Sequence, residues 1–322
     1  MSIPYFDFGG IGKPLHFLHA NGYPPNCYKP LLALLKTEYR VFGMLLRPLW
    51  QDSKPEGLRS WHPLSDDLLR FLASTTSGFD TSEKNTRSTQ PAPLTTVPML
   101  VGSAEPVIGV GHSIGAIVTL RAALRDPGKF KALVLIDPVL FVPRRLILWH
   151  IFRAIGLGDR VHPLIVGAKK RRRTFDDLEK VFRGYRNRNI FRYMSDENLR
   201  IYIEGMTKPR PKGGYELVFS PEWEAQIYRT GLHDFDIWGE LPKLKAPTLF
   251  IRGAESDTFL ENAAILVKQK QPRVKVEALE KSTHILSLER PKEVFDMMQS
   301  FLKNVPQVES QDAAGLRKPA GR

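Results

Sequence analysis

Val107-Ile108-Gly109-Val110-Gly111-His112-Ser113-Ile114-Gly115-Ala116 is the stretch on which the reading of this chain turns. Its first residues are apolar and β-branched, the composition of a buried strand. Gly111 to Gly115 then spell Gly-x-Ser-x-Gly, and the apolar spacing from Ile114 to Arg125 is helical until Asp126-Pro127-Gly128 stops it. A serine wedged between strand and helix must adopt an unfavourable backbone conformation, and glycines two residues to either side let helix and strand cross there without a Cβ clash. The helix N-terminus adds unpaired N–H groups and a positive dipole end beside the hydroxyl. Gly109-Val110-Gly111 also hints at a dinucleotide loop, but Ile114 stands where the third glycine belongs. The stretch reads as a nucleophile elbow.

Short strand runs followed by turns and helical spacing recur on both sides of it. Leu15 to Leu18 ends in His19-Ala20-Asn21-Gly22, and Tyr39 to Leu46 follows a helical pattern at Leu31, Leu34 and Leu35. Ala132 to Ile136 precedes Asp137-Pro138, Thr248 to Ile251 precedes Gly253, and Val274 to Leu279 precedes a loop before Pro291. Such alternation predicts an α/β fold with a mostly parallel sheet and helices on both faces. Two segments interrupt it. Residues 74–106 are rich in Ser, Thr and Pro and read as a flexible surface insertion or a mobile lid. Residues 141–232 read as helical throughout, with Thr174-Phe175-Asp176-Asp177 as a capping box and Ser195 and Ser220 as further N-caps. Inserted between two strands, that block forms a cap over the strand ends. The polar tail 306–322 reads as frayed.

In parallel sheets chemistry gathers on the loops at the carboxyl ends of the strands. A serine hydroxyl there needs a base, and an imidazole needs a third group to orient it. His284 lies in the loop after the last predicted strand, the loop that returns to the elbow. Asp257, in Gly253-Ala254-Glu255-Ser256-Asp257, is the expected acid, with Glu255 on the same loop and Asp137 at the end of the preceding strand as alternatives. The backbone N–H groups of Ile114 and Asn21 are the expected oxyanion donors. His19 and His112 belong to the two signature loops and are expected to shape them.

These residues resemble the α/β-hydrolase superfamily, in particular capped, esterase- or lipase-like serine hydrolases. The resemblance rests on His19-Ala20-Asn21-Gly22, Gly111 to Gly115, Gly253 to Asp257, and His284 with Glu289-Arg290-Pro291. It implies a sheet of about eight strands, a core formed by 1–140 and 233–305, and a helical cap at 141–232. It also implies no cofactor and no metal, and the roles nucleophile, acid and base on Ser113, Asp257 and His284. The chain departs from the family in an abbreviated N-terminal hairpin, Ile3 to Phe8, and in the insertion before the elbow. The activity expected is carboxylic-ester hydrolysis through an acyl-enzyme, on small or lipid-like acyl substrates. The same triad also serves C–C bond hydrolases, lyases and cofactor-free perhydrolases, and a non-catalytic ligand-binding protein can keep the fold.

Composition narrows the context. Hydrophobic residues make up 42% and charged residues 25% of the 322, which excludes wholesale disorder. The single cysteine, Cys27, rules out an internal disulfide and a cysteine-rich zinc site, and it reads as an inert thiol. No secretion signal or spanning segment is visible, so a cytoplasmic protein is expected, and nothing signals an oligomeric state. Residues 141–232 hold 19 Lys/Arg against 10 Asp/Glu, nine of the thirteen net positive charges. The run Lys169-Lys170-Arg171-Arg172-Arg173 is a candidate anionic-membrane contact with peripheral association, or else a solvated helix flank. No nucleic-acid motif accompanies it. Trp149 and Phe152, in the apolar run after Pro143, are candidates for the acyl pocket.

Overall fold

Strands whose two faces are both apolar bury both, and here each face feeds a different core. The computed structural model describes residues 3–74, 105–157, 160 and 162–305. The insertion expected at 74–106 therefore falls, but for its edges, outside the described residues, and the tail at 306–322 wholly so. The main sheet contains β1 (Tyr5–Gly9), β2 (Lys13–Leu18), β3 (Tyr39–Met44), β4 (Val107–His112) and β5 (Phe130–Ile136). After the cap, which holds three short strands of its own, it is completed by β9 (Thr248–Gly253) and β10 (Lys275–Leu279). Its order is β1-β3-β2-β4-β5-β9-β10, seven strands rather than about eight. Only β1 runs antiparallel to its neighbour, so the short N-terminal segment supplies one edge strand in place of a hairpin.

Alternation along each strand sorts side chains between two cores. Leu18, Leu133, Leu135 and Phe250 face one; Phe17, Val134, Ile136, Leu249 and Ile251 face the other. The first core is covered by α2 (His62–Ser74), α3 (Ile114–Arg125) and α9 (Glu261–Lys270), the second by α1 (Lys29–Leu35) and α10 (Pro291–Leu302). Helix α3 is buried from Ile114 through Ala123, as expected of a helix that is apolar around most of its circumference.

The cap between β5 and β9 is mixed, not helical throughout. It contains α4 (Pro143–Ala154), α5 (Pro163–Lys169), α6 (Leu178–Arg186), α7 (Asp196–Met206) and α8 (Pro221–Thr230). A small antiparallel sheet of β6 (Thr174–Phe175), β7 (Thr207–Pro209) and β8 (Tyr215–Leu217) joins them, in the order β6-β8-β7. Thr174 pairs with Glu216 in that sheet, so it cannot cap a helix; Asp177 caps α6 instead, accepting from the Glu179 N–H. Ser195 and Ser220 do cap α7 and α8, each accepting an N–H three residues on. Gly205 of α7 lies where a Cβ would come within 2.5 Å of the Cys27 nitrogen, so the cap backbone presses directly on the turn before α1. The cap side chains Phe182, Tyr185, Tyr202 and Ile203 join the second core of the sheet.

The chain's return from the cap is fastened to the elbow helix by a buried ion network. Arg121 Nη2 donates to Asp234 Oδ1 at 2.7 Å, and its Nε to Asp236 Oδ2 at 2.9 Å. Both Arg121 and Asp234 are almost fully buried, and burial pushes the Asp234 carboxyl up while Arg121 opposes it. Removing one partner of such a pair leaves an uncompensated charge and costs about 3–5 kcal/mol. Arg121→Met is therefore expected to lower unfolding stability by roughly that amount, and Asp236→Asn, at a half-exposed partner, by about 1 kcal/mol or less. Equal denaturation midpoints for the two variants would contradict this reading.

Candidate active site

The parallel register brings three strand ends together. Ile136 lies opposite His112 on one side and Ile251 on the other, so Ser113, Asp137 and the start of the β9 loop emerge side by side. Ser113 takes φ 59° and ψ −120°, the strain expected of an elbow. A Cβ on Gly111 would sit 2.4 Å from the Gly115 carbonyl oxygen, and one on Gly115 would sit 2.3 Å from that of Leu18. Neither oxygen belongs to a side chain that can move aside. Both glycines are required by backbone approach.

His284 Nε2 lies 3.0 Å from Ser113 Oγ, and its Nδ1 lies 2.6 Å from Asp137 Oδ2. The acid beside the imidazole is thus Asp137, the alternative, and not Asp257. Asp137 has no solvent exposure and a positive φ of 41°. It also accepts from the Gly253 N–H at 3.0 Å and from Ser256 Oγ at 2.5 Å. The loop expected to carry the acid supplies two donors that hold it. Asp257 is exposed, and its Oδ1 accepts from Thr258 Oγ1. Glu255 is taken by Arg192 and by the Tyr193 hydroxyl, 2.5 Å from each. The physical reason is strand order: β5 adjoins β4, the strand that leads into Ser113, whereas Asp257 lies beyond the end of β9, one strand farther away.

The loop that presents His284 is held from three sides. Glu289 accepts from the Thr283 N–H at 2.7 Å and the Thr283 hydroxyl at 2.8 Å, and burial raises its carboxyl pKa. Gly253 lets the Thr283 carbonyl approach, since a Cβ there would lie 2.3 Å from it. His112 Nε2 lies 2.8 Å from the His284 carbonyl oxygen, which can only accept, so this nitrogen carries the proton. Its Nδ1 then accepts from the Tyr28 hydroxyl at 2.7 Å, and that oxygen accepts from the Ala20 N–H at 3.2 Å. Early loop, elbow and histidine loop are joined by one run of hydrogen bonds. Tyr28 had no motif to mark it in the sequence.

Ser113 and His284 open into a cavity of about 1030 Å³ that Ile114, Asn21 and Asp257 also line. Ile114 begins α3, where an amide N–H has no partner within the helix. Asn21 follows β2; its Nδ2 donates to the Glu224 carbonyl at 3.1 Å, while its buried Oδ1 has no protein partner. One wall is polar: Tyr23, Tyr202, Tyr228 and the pair Arg171–Glu224, 2.6 Å apart. Burial pushes Tyr228 and Tyr202 above the ordinary phenol range, so both hydroxyls are neutral, and that of Tyr202 accepts from Arg171 Nη2 at 3.4 Å. Val139, Phe141 and Leu232 add an apolar part to the lining. Trp149 and Phe152 do not line the cavity. Trp149 packs in a small cluster with Ile165, Ala168 and Ala225 because its side of α4 turns inward against α5 and α8. The basic run is divided as well. Arg171 points into the cavity wall, Arg173 pairs with Glu222, and Arg172 stacks over Phe175. Cys27 is buried, and burial raises its thiol pKa, as an inert thiol requires.

A seven-stranded sheet with a strained serine elbow, a histidine loop and a cap over the strand ends defines a hydrolase-type α/β protein. The sequence profile of the Alpha/beta hydrolase family matches residues 17–297, and the chain belongs to that family. The fold is shared with E-2-(acetamidomethylene)succinate hydrolase at 20% identity and a TM-score of 0.66, covering 93% of this chain and 94% of that one. It is also shared with the peroxisomal alpha-beta-hydrolase Lpx1 of Saccharomyces cerevisiae at 16% identity and a TM-score of 0.64, over 95% and 80% of the two chains. An esterase of M. tuberculosis aligns at 17% identity and a TM-score of 0.63, over 93% and 88%. No curated protein sequence matches the chain. Among the described residues no helix is long and apolar enough to cross a membrane.

Fully buried histidines in the sheet and beside the site shape the fold's response to acid. His16, His19 and His112 have no solvent exposure, and burial lowers their pKa values to about 3, about 4 and about 3. In the unfolded chain each titrates near ~6.5, so on acidification the unfolded state takes up protons first. Their contribution to stability is full above that value and falls by up to about 1.4 kcal/mol per group and pH unit below it. The denaturation midpoint is expected to fall steeply between about pH 6.5 and about pH 4.5. His16→Gln keeps an acceptor for the Met44 N–H and should reduce this slope by about a quarter, since burial also lowers His233 to about 4 and makes four such imidazoles. An unchanged slope in that variant, or a flat midpoint in the parent protein, would contradict it.

Proposed function

We propose that this chain is a serine hydrolase of carboxylic esters, with Ser113, His284 and Asp137 as its triad. The reading rests on one observation: an unbroken hydrogen-bonded line from the buried Asp137 carboxylate through His284 to the Ser113 hydroxyl at the cavity floor. Asp137 holds the His284 proton on Nδ1, leaving Nε2 free to accept the Ser113 proton as Oγ adds to the ester carbonyl. The tetrahedral oxyanion is received by the N–H groups of Ile114 and Asn21. The imidazolium then protonates the departing alkoxide, and the acyl group stays on Oγ. Water enters, gives a proton to Nε2 and releases the acid by the reverse sequence. The apolar wall around Val139, Phe141 and Leu232 suits a small or lipid-like acyl chain, and the tyrosine-lined wall suits the more polar alcohol portion. C–C bond hydrolysis, lyase and perhydrolase chemistry would draw on the same three side chains.

A fluorophosphonate probe and a panel of soluble esters of increasing acyl length test this together. Ser113→Ala is expected to fold normally and lose all labelling. Asp137→Asn should lower turnover by about 10⁴-fold, the cost of the wrong imidazole tautomer, while Asp257→Asn stays within about threefold of the parent. The opposite ranking of the two aspartates would move the acid to the later loop. Full labelling of folded Ser113→Ala would remove the serine assignment itself.

A further inference from the structure

Aliphatic side chains on a cap helix ordinarily turn inward, and one helix of this cap does not comply. Ile147, Leu148 and Ile151 of α4 are 52%, 53% and 53% exposed, and Ile155 just past its end is 61% exposed. The spacing of 147, 151 and 155 places these side chains along one face. Leu164, at the start of α5, is 52% exposed and also lines the cavity, so the apolar strip continues to the cavity rim. The strip is not a displaced core face: Leu146 and Trp149, on the other side of α4, already fasten the helix to the protein.

The charge along this stretch of sequence is almost all of one sign. Residues 141–173 contain nine Lys/Arg and a single Asp. Arg144 and Arg145 on α4 and Arg160 shortly after it in sequence are exposed, and Arg145 borders the cavity. An amphipathic helix with an outward aliphatic face and a cationic margin is complementary to one kind of surface, hydrocarbon lying under a layer of negative charge. We propose that α4, with Leu164, docks this protein on anionic lipid bilayers. The helix lies in the interface plane with Ile147, Leu148 and Ile151 inserted, and the cavity mouth faces the lipid. Binding is carried by this strip and its arginines, not by the run from Lys169 to Arg173, whose Arg171 and Arg173 are paired within the cap. Docking does not depend on the ester-hydrolase reading.

Co-sedimentation of the full chain with phosphatidylcholine vesicles, with and without roughly 30% phosphatidylglycerol, tests the proposal. The chain should bind the anionic vesicles at least about tenfold better than the neutral ones, and the difference should collapse at about 0.5 M salt. Ile147→Ser/Leu148→Ser/Ile151→Ser should lose at least about tenfold in binding with an unchanged circular-dichroism spectrum and unchanged turnover of a soluble ester. Arg144→Gln/Arg160→Gln should lose the preference for anionic lipid. Ser113→Ala should bind vesicles like the parent, which keeps docking separate from catalysis. Failure of the parent to bind, or equal binding by the triple-serine variant, overturns the proposal. So does a parent dimer that the triple-serine variant splits, since a second copy would then be what covers the strip.

Discussion

A carboxylate without access to water must find its hydrogen bonds inside the protein, and Asp137 finds three partners on two other loops. Gly253 N–H and Ser256 Oγ come from the end of β9 and His284 Nδ1 from the loop after β10. Leaving any of these donors out would strand a buried charge, which costs more than most single contacts contribute. The constraint therefore reaches well beyond the acid itself. It fixes how β5 ends, requires a free backbone N–H at position 253, and decides where the imidazole stands relative to Ser113.

The other half of the arrangement is the line from Ala20 through Tyr28 and His112 to the His284 carbonyl. It works only while His112 is neutral, because Nδ1 must accept while Nε2 donates. Burial secures that state by holding its pKa near about 3. Asp137 orients the His284 side chain, and His112 ties down its backbone. The cap is anchored to the same frame through Gly205 at the turn before α1 and through Arg121 behind the elbow.

Much of this was legible in the sequence, and the parts that were not share a cause. Strands β2, β4, β5 and β9 and helix α3 announce themselves through apolar runs closed by glycine or proline, and with them came Ser113, His284 and the loops at 19–22 and 253–257. Local signals do not reveal which strands are neighbours. Asp137 and Asp257 both follow a strand, and only the order β4-β5-β9 brings the former beside the elbow. Strands of two or three residues carry no periodicity, so nothing in the sequence sets the β6-β8-β7 sheet apart from the helices around it. Trp149 and Phe152 belong to an apolar run whose inward face met other cap helices, not the cavity. Arg171 was read as part of a surface run, since nothing nearby in sequence marks Glu224 as its partner.

The central claim is that Asp137 holds the His284 imidazole, and proton NMR of the ring nitrogen tests it most directly. With histidine labelled in ¹⁵N, a short Nδ1–H···carboxylate bond shifts its proton far downfield of an ordinary imidazole N–H. That resonance is expected in the parent protein and in Asp257→Asn, and it should vanish or move strongly upfield in Asp137→Asn. A downfield proton that survives Asp137→Asn and disappears in Asp257→Asn would contradict the account.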